Sequence, residues 1–157
     1  MFAREAGTCL FRLSGELRHT ACAGLDKLAH ELEHGQMLDC KEVVVDLGQA
    51  EFLDSTNIGV LATIARGSML RLGRRATLYS PRPEITRLLR DMCMERAFVL
   101  VDKKLDTHAE LVEVGDTEAD EQLRARMVLR AHEALIDLDE RNREAFQPVV
   151  DAFQKPV

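Results

Sequence analysis

Aromatic residues are nearly missing from this 157-residue chain: they make up 4% of it, with no tryptophan and a single tyrosine, Tyr79. That excludes an aromatic platform on which nucleobases stack. Positive charge is short as well, the formal net charge being -6. No nucleic-acid partner is therefore expected, since non-specific binding needs a surface that neutralises phosphates. The cysteines, Cys9, Cys22, Cys40 and Cys93, are spread apart and form no CxxC or Cys/His cluster. Free buried thiols in a reducing compartment are expected, with no metal site. No run of the sequence approaches the ~20 apolar residues of a membrane span. The N-terminal MFAREAGTCLFRL has no long apolar stretch followed by a small-residue cleavage site, so no signal peptide is read there and a cytoplasmic protein is expected. What the chain does have is 46% hydrophobic and 31% charged residues, which suits a real core and a soluble surface in about one domain.

Periodicity organises the chain. TCLFRL (8–13) places Cys9, Phe11 and Leu13 on one face of a strand, and SGEL (14–17) is expected to turn it. Thr20 is the expected cap of a helix whose apolar positions Leu25, Leu28, Ala29 and Leu32 share a face, ending at Gly35. EVVVDL (42–47) has the unbroken apolar character of a strand buried on both sides. FLDST follows it, then a second helix with Ile58, Leu61, Ala62, Ala65 and Met69 on one stripe, ending near Gly73. RATLYS (75–80) is the next strand, and Ser80-Pro81 is expected to start a third helix faced by Ile85, Leu88, Leu89 and Met92. AFVLVD (97–102) is the last clear strand, and DTHAEL (106–111) is expected to open a short closing helix. This order predicts right-handed βαβ crossovers and a largely parallel sheet of four to five strands. Past about Val114 the chain becomes heavily charged. Leu123, Met127, Ala131, Ala134, Leu135 and Leu138 are spaced for one amphipathic helix. Phe146, Val149, Val150 and Phe153 are spaced for another, with Pro148 implying a kink or a fresh start.

The useful surface of such a sheet lies beyond the carboxyl ends of its strands. Asp46, Asp54, Ser55 and Ser80 all fall there, and FLDSTNIG (52–59) sets Asp54, Ser55, Thr56 and Asn57 side by side. One short oxygen-bearing side chain is enough to cap a helix, and a cap alone is one account of the stretch. A phosphate on Ser55 is the other: it would add about -1.5 to -2 charge at the positive end of a helix, beside the like charge of Asp54. Spacing leaves both open.

SGEL at 14–17, VVVDL at 43–47, FLDSTNIGVL at 52–61 and LYSPRPEITRLL at 78–89, in that order, resemble the STAS domain family, and within it the bacterial anti-sigma-factor antagonists. The resemblance covers roughly residues 8–112. It implies a STAS-like α/β fold over 1–114 and says nothing of the C-terminal amphipathic helical extension over 115–157, which the family does not require. It further implies a non-enzymatic regulator of transcription without a cofactor. Its partners would be an anti-sigma factor that is itself a serine kinase and a metal-dependent serine phosphatase. Ser55 matches the phosphorylated serine, and Asp54, Thr56 and Gly59 match residues that shape the contact surface. Two positions depart from the family: Asn57 stands where glycine is usual, and Arg18 stands where members often carry an acid. Both are expected to re-tune the choice of partner.

The alternative within the family is a scaffold for another assembly, such as a stress-sensing complex, a second-messenger enzyme or a lipid-transport system, in which Ser55 is only a cap. A small-molecule or nucleotide sensor using the rim near Asp46, Asp54 and Ser80 is more distant. Between Arg66 and Arg90 the single acid is Glu84, giving either a solvated face or a docking patch for an acidic partner. His30 and His34 stand one helical turn apart without a third ligand in view, so surface histidines are expected. The C-terminal helices are expected to add a packing layer or a homodimer surface, the alternatives being a segment that docks a specific partner or a loose tail.

Overall fold

The computed structural model describes residues 1–5, 7–19, 22–37, 39–103 and 120–154. Five strands form one sheet in the order β1-β2-β3-β4-β5: Phe2–Glu5, Thr8–Leu17, Glu42–Leu53, Ala76–Tyr79 and Phe98–Val101. β1 runs antiparallel to β2, and every other neighbour is parallel. The fold is therefore α/β with a mostly parallel sheet, as expected. The strand missing from the sequence pattern is β1, whose side chains mix apolar and charged residues; Gly7, at φ 88°, makes the tight return that pairs it with β2.

Three helices follow the βαβ pattern: α1 (Ala23–Glu33), α2 (Ser55–Leu72) and α3 (Pro83–Asp91). Cys9, Phe11 and Leu13 of β2, Val43, Val45 and Leu47 of β3, and Leu78 of β4 meet Leu32, Ile58, Leu61, Ile64 and Leu89 from the helices in one core. Each fully buried aliphatic side chain there contributes about 1.5–3 kcal/mol of apolar transfer. Among the described residues, the opposite face of the sheet carries the small cluster of Ala3, Leu10 and Val44.

Several local expectations are corrected. Residues 14–17 continue β2, because Gly15 at φ 75° absorbs an irregularity and the pairing with β3 shifts on either side of Ser14 and Gly15. β3 runs on to Leu53, paired with Leu17. Cys22 occupies the N-cap position of α1 and its Sγ donates to the His19 carbonyl ahead of the helix, so the helix begins later than a cap at Thr20 would place it; Thr20 itself lies outside the described residues. α3 starts at Pro83 after Arg82, not at Pro81, and the Ser80 hydroxyl instead meets Thr86 Oγ1 at 2.8 Å. The segment 106–111 lies outside the described residues.

The C-terminal region forms α4 (Glu121–Leu138) and α5 (Arg143–Gln154). The break between them is a 3-10 turn at Glu140–Asn142, and α5 continues through Pro148. α4 does not stand apart: its Ala131, Ala134 and Leu135 belong to the main core. It lies on α2, forming a third layer over the helices. α2 is accordingly buried on both sides, from Thr56 to Ala62, instead of along one stripe. Toward its end Met69 and Leu70 emerge, 50% and 65% exposed.

Polar anchors hold this layer in place. Arg130 pairs with Asp26 of α1 at 3.0 Å, and Arg66 of α2 reaches both Glu33 and Asp137. Asp139 accepts from Arg96 and Arg141, while Asn142 Nδ2 donates to the carbonyls of Met92 and Leu135. Among the described residues no helix is long and apolar enough to cross a membrane.

Candidate functional site

The rim stretch is built by Asp54, the N-cap of α2, with extended backbone (φ -89°, ψ 170°). Its Oδ1 accepts from the Asn57 backbone N–H and from Asn57 Nδ2, both at 2.9 Å. Its Oδ2 accepts from the His19 backbone N–H, and its own N–H donates to the Leu17 carbonyl at 3.0 Å. One carboxylate thus starts the helix and ties the ends of β2 and β3 together. Capping is done by Asp54, so Ser55 is not the cap.

Ser55 occupies the first turn of α2, half-buried. Its Oγ lies 2.8 Å from Nε2 of His132 on α4. His132 is 3% exposed, its Nδ1 lies 2.7 Å from the Val128 carbonyl, and its ring packs against Phe146 with centroids 5.2 Å apart. A carbonyl oxygen only accepts, so Nδ1 carries the proton. In the neutral ring Nε2 is then an acceptor, and the Ser55 hydroxyl donates to it.

The predicted residues divide into two groups. Asp54, Ser55 and Arg18 share the rim, where the Arg18 guanidinium lies 4.7 Å over the ring of Phe52, a side chain 39% exposed. Thr56 and Asn57 are turned inward, 4% and 1% exposed. Asn57 spends its amide on Asp54. Gly59 faces α4: a Cβ on it would lie 2.2 Å from the Ala131 carbonyl oxygen. In this structure its lack of a side chain admits the chain's own α4.

Phe52 and His132 are the site residues that the sequence pattern does not single out. Phe52 is legible as the aromatic that opens FLDSTNIG. The helical spacing of α4 marks its apolar stripe, but nothing local marks which polar residue on it meets Ser55.

Other predicted rim groups are already engaged. Asp46 accepts from Arg12 Nε at 3.0 Å and from the Gly48 N–H at 2.8 Å. In the arginine-rich stretch, Arg66 pairs with Glu33, Arg71 donates to the Glu33 carbonyl and Arg75 to the Phe98 carbonyl. Those three act as staples. Arg82, Arg87 and Arg90, on and beside α3, are exposed. The rings of His30 and His34 lie against each other, tilted by 33° with centroids 4.0 Å apart.

Comparison with known proteins adds the lineage. Residues 1–102 match the family model described as "Mlab, STAS domain". No curated protein matches the chain. The solved structure of the anti-sigma factor antagonist SpoIIAA in its unphosphorylated form is similar at 19% identity and a TM-score of 0.48, over 66% of this chain and 88% of that one. With the matched model spanning well over half of its length, the chain belongs to the STAS domain family.

Proposed function

We propose that this STAS domain is a non-enzymatic, cytoplasmic partner-switching module of the anti-sigma-factor-antagonist type. Unphosphorylated, it binds an anti-sigma factor that is also a serine kinase. Phosphate on Ser55 releases that partner, and a metal-dependent serine phosphatase resets the switch. The carrying observation is the place of the Ser55 hydroxyl: the first turn of α2, half-buried at the strand-end rim, next to the Asp54 carboxylate. A phosphate there adds about -1.5 to -2 charge where the helix end accommodates it and an acidic partner surface does not. The contact surface consists of the rim residues Arg18, Phe52, Asp54 and Ser55, the last of which also meets His132 of α4. Thr56, Asn57 and Gly59 shape it from within.

The packing of α4 over α2 favours a second reading, a STAS scaffold of another assembly in which Ser55 serves only the contact with His132. Affinity capture from the native cells separates the two. The switch predicts that Ser55→Ala retains a serine kinase that Ser55→Asp loses. Equal retention of a verified partner by both variants contradicts it and leaves the scaffold.

A further inference from the structure

We infer that the C-terminal extension activates Ser55: His132 accepts the serine proton as Ser55 Oγ attacks a phosphoryl group. The inference rests on the reading of Ser55 as the phospho-acceptor and gives that site a second participant. His132 lies beyond residues 1–102. The module thus receives part of its chemistry from helix α4.

Three observations carry it. The Oγ to Nε2 distance of 2.8 Å is a direct hydrogen bond. The far nitrogen is held by the Val128 carbonyl at 2.7 Å, which fixes the tautomer so that the lone pair of Nε2 faces the hydroxyl. The ring cannot turn away, being 3% exposed and packed on Phe146. Nucleophile, base and an acceptor that orients the base are thereby in register, the arrangement by which enzymes activate a serine. The serine itself stands at the positive end of α2, which favours an approaching anion.

In the transfer step, Ser55 Oγ forms a bond to the terminal phosphorus of a nucleoside triphosphate held by the partner kinase. The bond from that phosphorus to its bridging oxygen breaks, and the nucleoside diphosphate leaves with the electron pair. The serine proton passes to Nε2. The imidazolium so formed faces the new phosphate and pairs with it, while Asp54 repels it from the other side.

A simple inter-helix hydrogen bond gives the same distance, so the test must separate hydrogen bonding from proton acceptance. The probe is diisopropyl fluorophosphate on the full-length protein, read by intact mass and peptide mapping. Its reaction forms the Oγ–P bond, breaks P–F and releases fluoride, with no kinase needed. Native wild type is expected to label at Ser55 in preference to the other serines, Ser14, Ser68 and Ser80, and to lose that preference in urea. His132→Gln, which keeps a hydrogen-bonding side chain without the base, is expected to label about 100-fold more slowly, the low end of general-base catalysis.

Equal rates in wild type and a folded His132→Gln overturn the inference. So does a native Ser55 no more reactive than the unfolded one, a comparison that decides the matter even if the variant does not fold. Phosphate on Ser55 in cells together with no effect of His132→Gln on labelling removes this inference and leaves the proposed switch. Selective labelling of a Ser55 that never carries phosphate in cells upholds the activation and removes the switch.

Discussion

Gly59 on α2 and Ala131 on α4 come so close that a Cβ on the glycine would lie 2.2 Å from the alanine carbonyl oxygen. Backbone of one helix rests directly on the other, and no side chain yields there. Gly59→Ala is therefore expected to push α4 off α2 and to cost about 1–3 kcal/mol, as overpacking of a closed interface does. Urea denaturation measures it. An unchanged midpoint at unchanged slope means that α4 is not seated on Gly59.

Asp54→Ala tests the cap. The carboxylate holds the Asn57 N–H, the Asn57 amide and the His19 N–H. Its loss is expected to cost about 1–2 kcal/mol, the upper part of the range for a single N-cap, because the end of β2 is released as well. A loss below ~0.5 kcal/mol, under the range for a single N-cap, contradicts both the cap and the clamp.

Acid stability tests the anchor at the end of α4. Arg141, and then Arg96, hold the Asp139 carboxyl well below the usual carboxylate range. A depressed folded value gives stabilisation that is complete above the unfolded value of about 3.9 and is lost as pH falls through the folded one. Asp26 has the opposite sign: burial raises its carboxyl, against the lowering by Arg130. Its contribution is present below the unfolded value and fades as pH rises through the folded one. The net fall in Tm on acidification is thus expected to be smaller in Asp139→Asn than in wild type. Parallel acid profiles contradict the assignment.

The open rim separates binding from folding. The side chains of Arg18 and Phe52 are exposed and stacked on each other. Arg18→Glu and Phe52→Ala are expected to weaken capture of the kinase at least tenfold while changing stability by no more than about 0.5 kcal/mol. Undiminished capture by both places the interface elsewhere.

Much of the fold is legible in the sequence for a physical reason: buried strands and crossover helices repeat apolar residues at periods set by their geometry. Cys9, Phe11 and Leu13, or Ile58, Leu61 and Ala65, announce their faces. Helix starts are less legible. Ser80-Pro81 has the chemistry of a helix start, but the Ser80 hydroxyl is taken by Thr86 and the helix waits for Pro83. The motif FLDSTNIG marks its place in the fold. It does not reveal that Thr56, Asn57 and Gly59 are all buried, and for Gly59 the cover is a helix far along the chain. The Ser55–His132 contact spans 77 positions, and neither residue carries a local sign of the other.

Whether Ser55 is a reversible switch is tested most directly by its phosphate occupancy. Phosphopeptide mapping of the protein from its native cells, in growth and under stress, reads that occupancy whichever kinase acts. The switch predicts phosphate on Ser55 at a level that changes with condition. A well-covered peptide 52–59 that never carries phosphate in either state contradicts it.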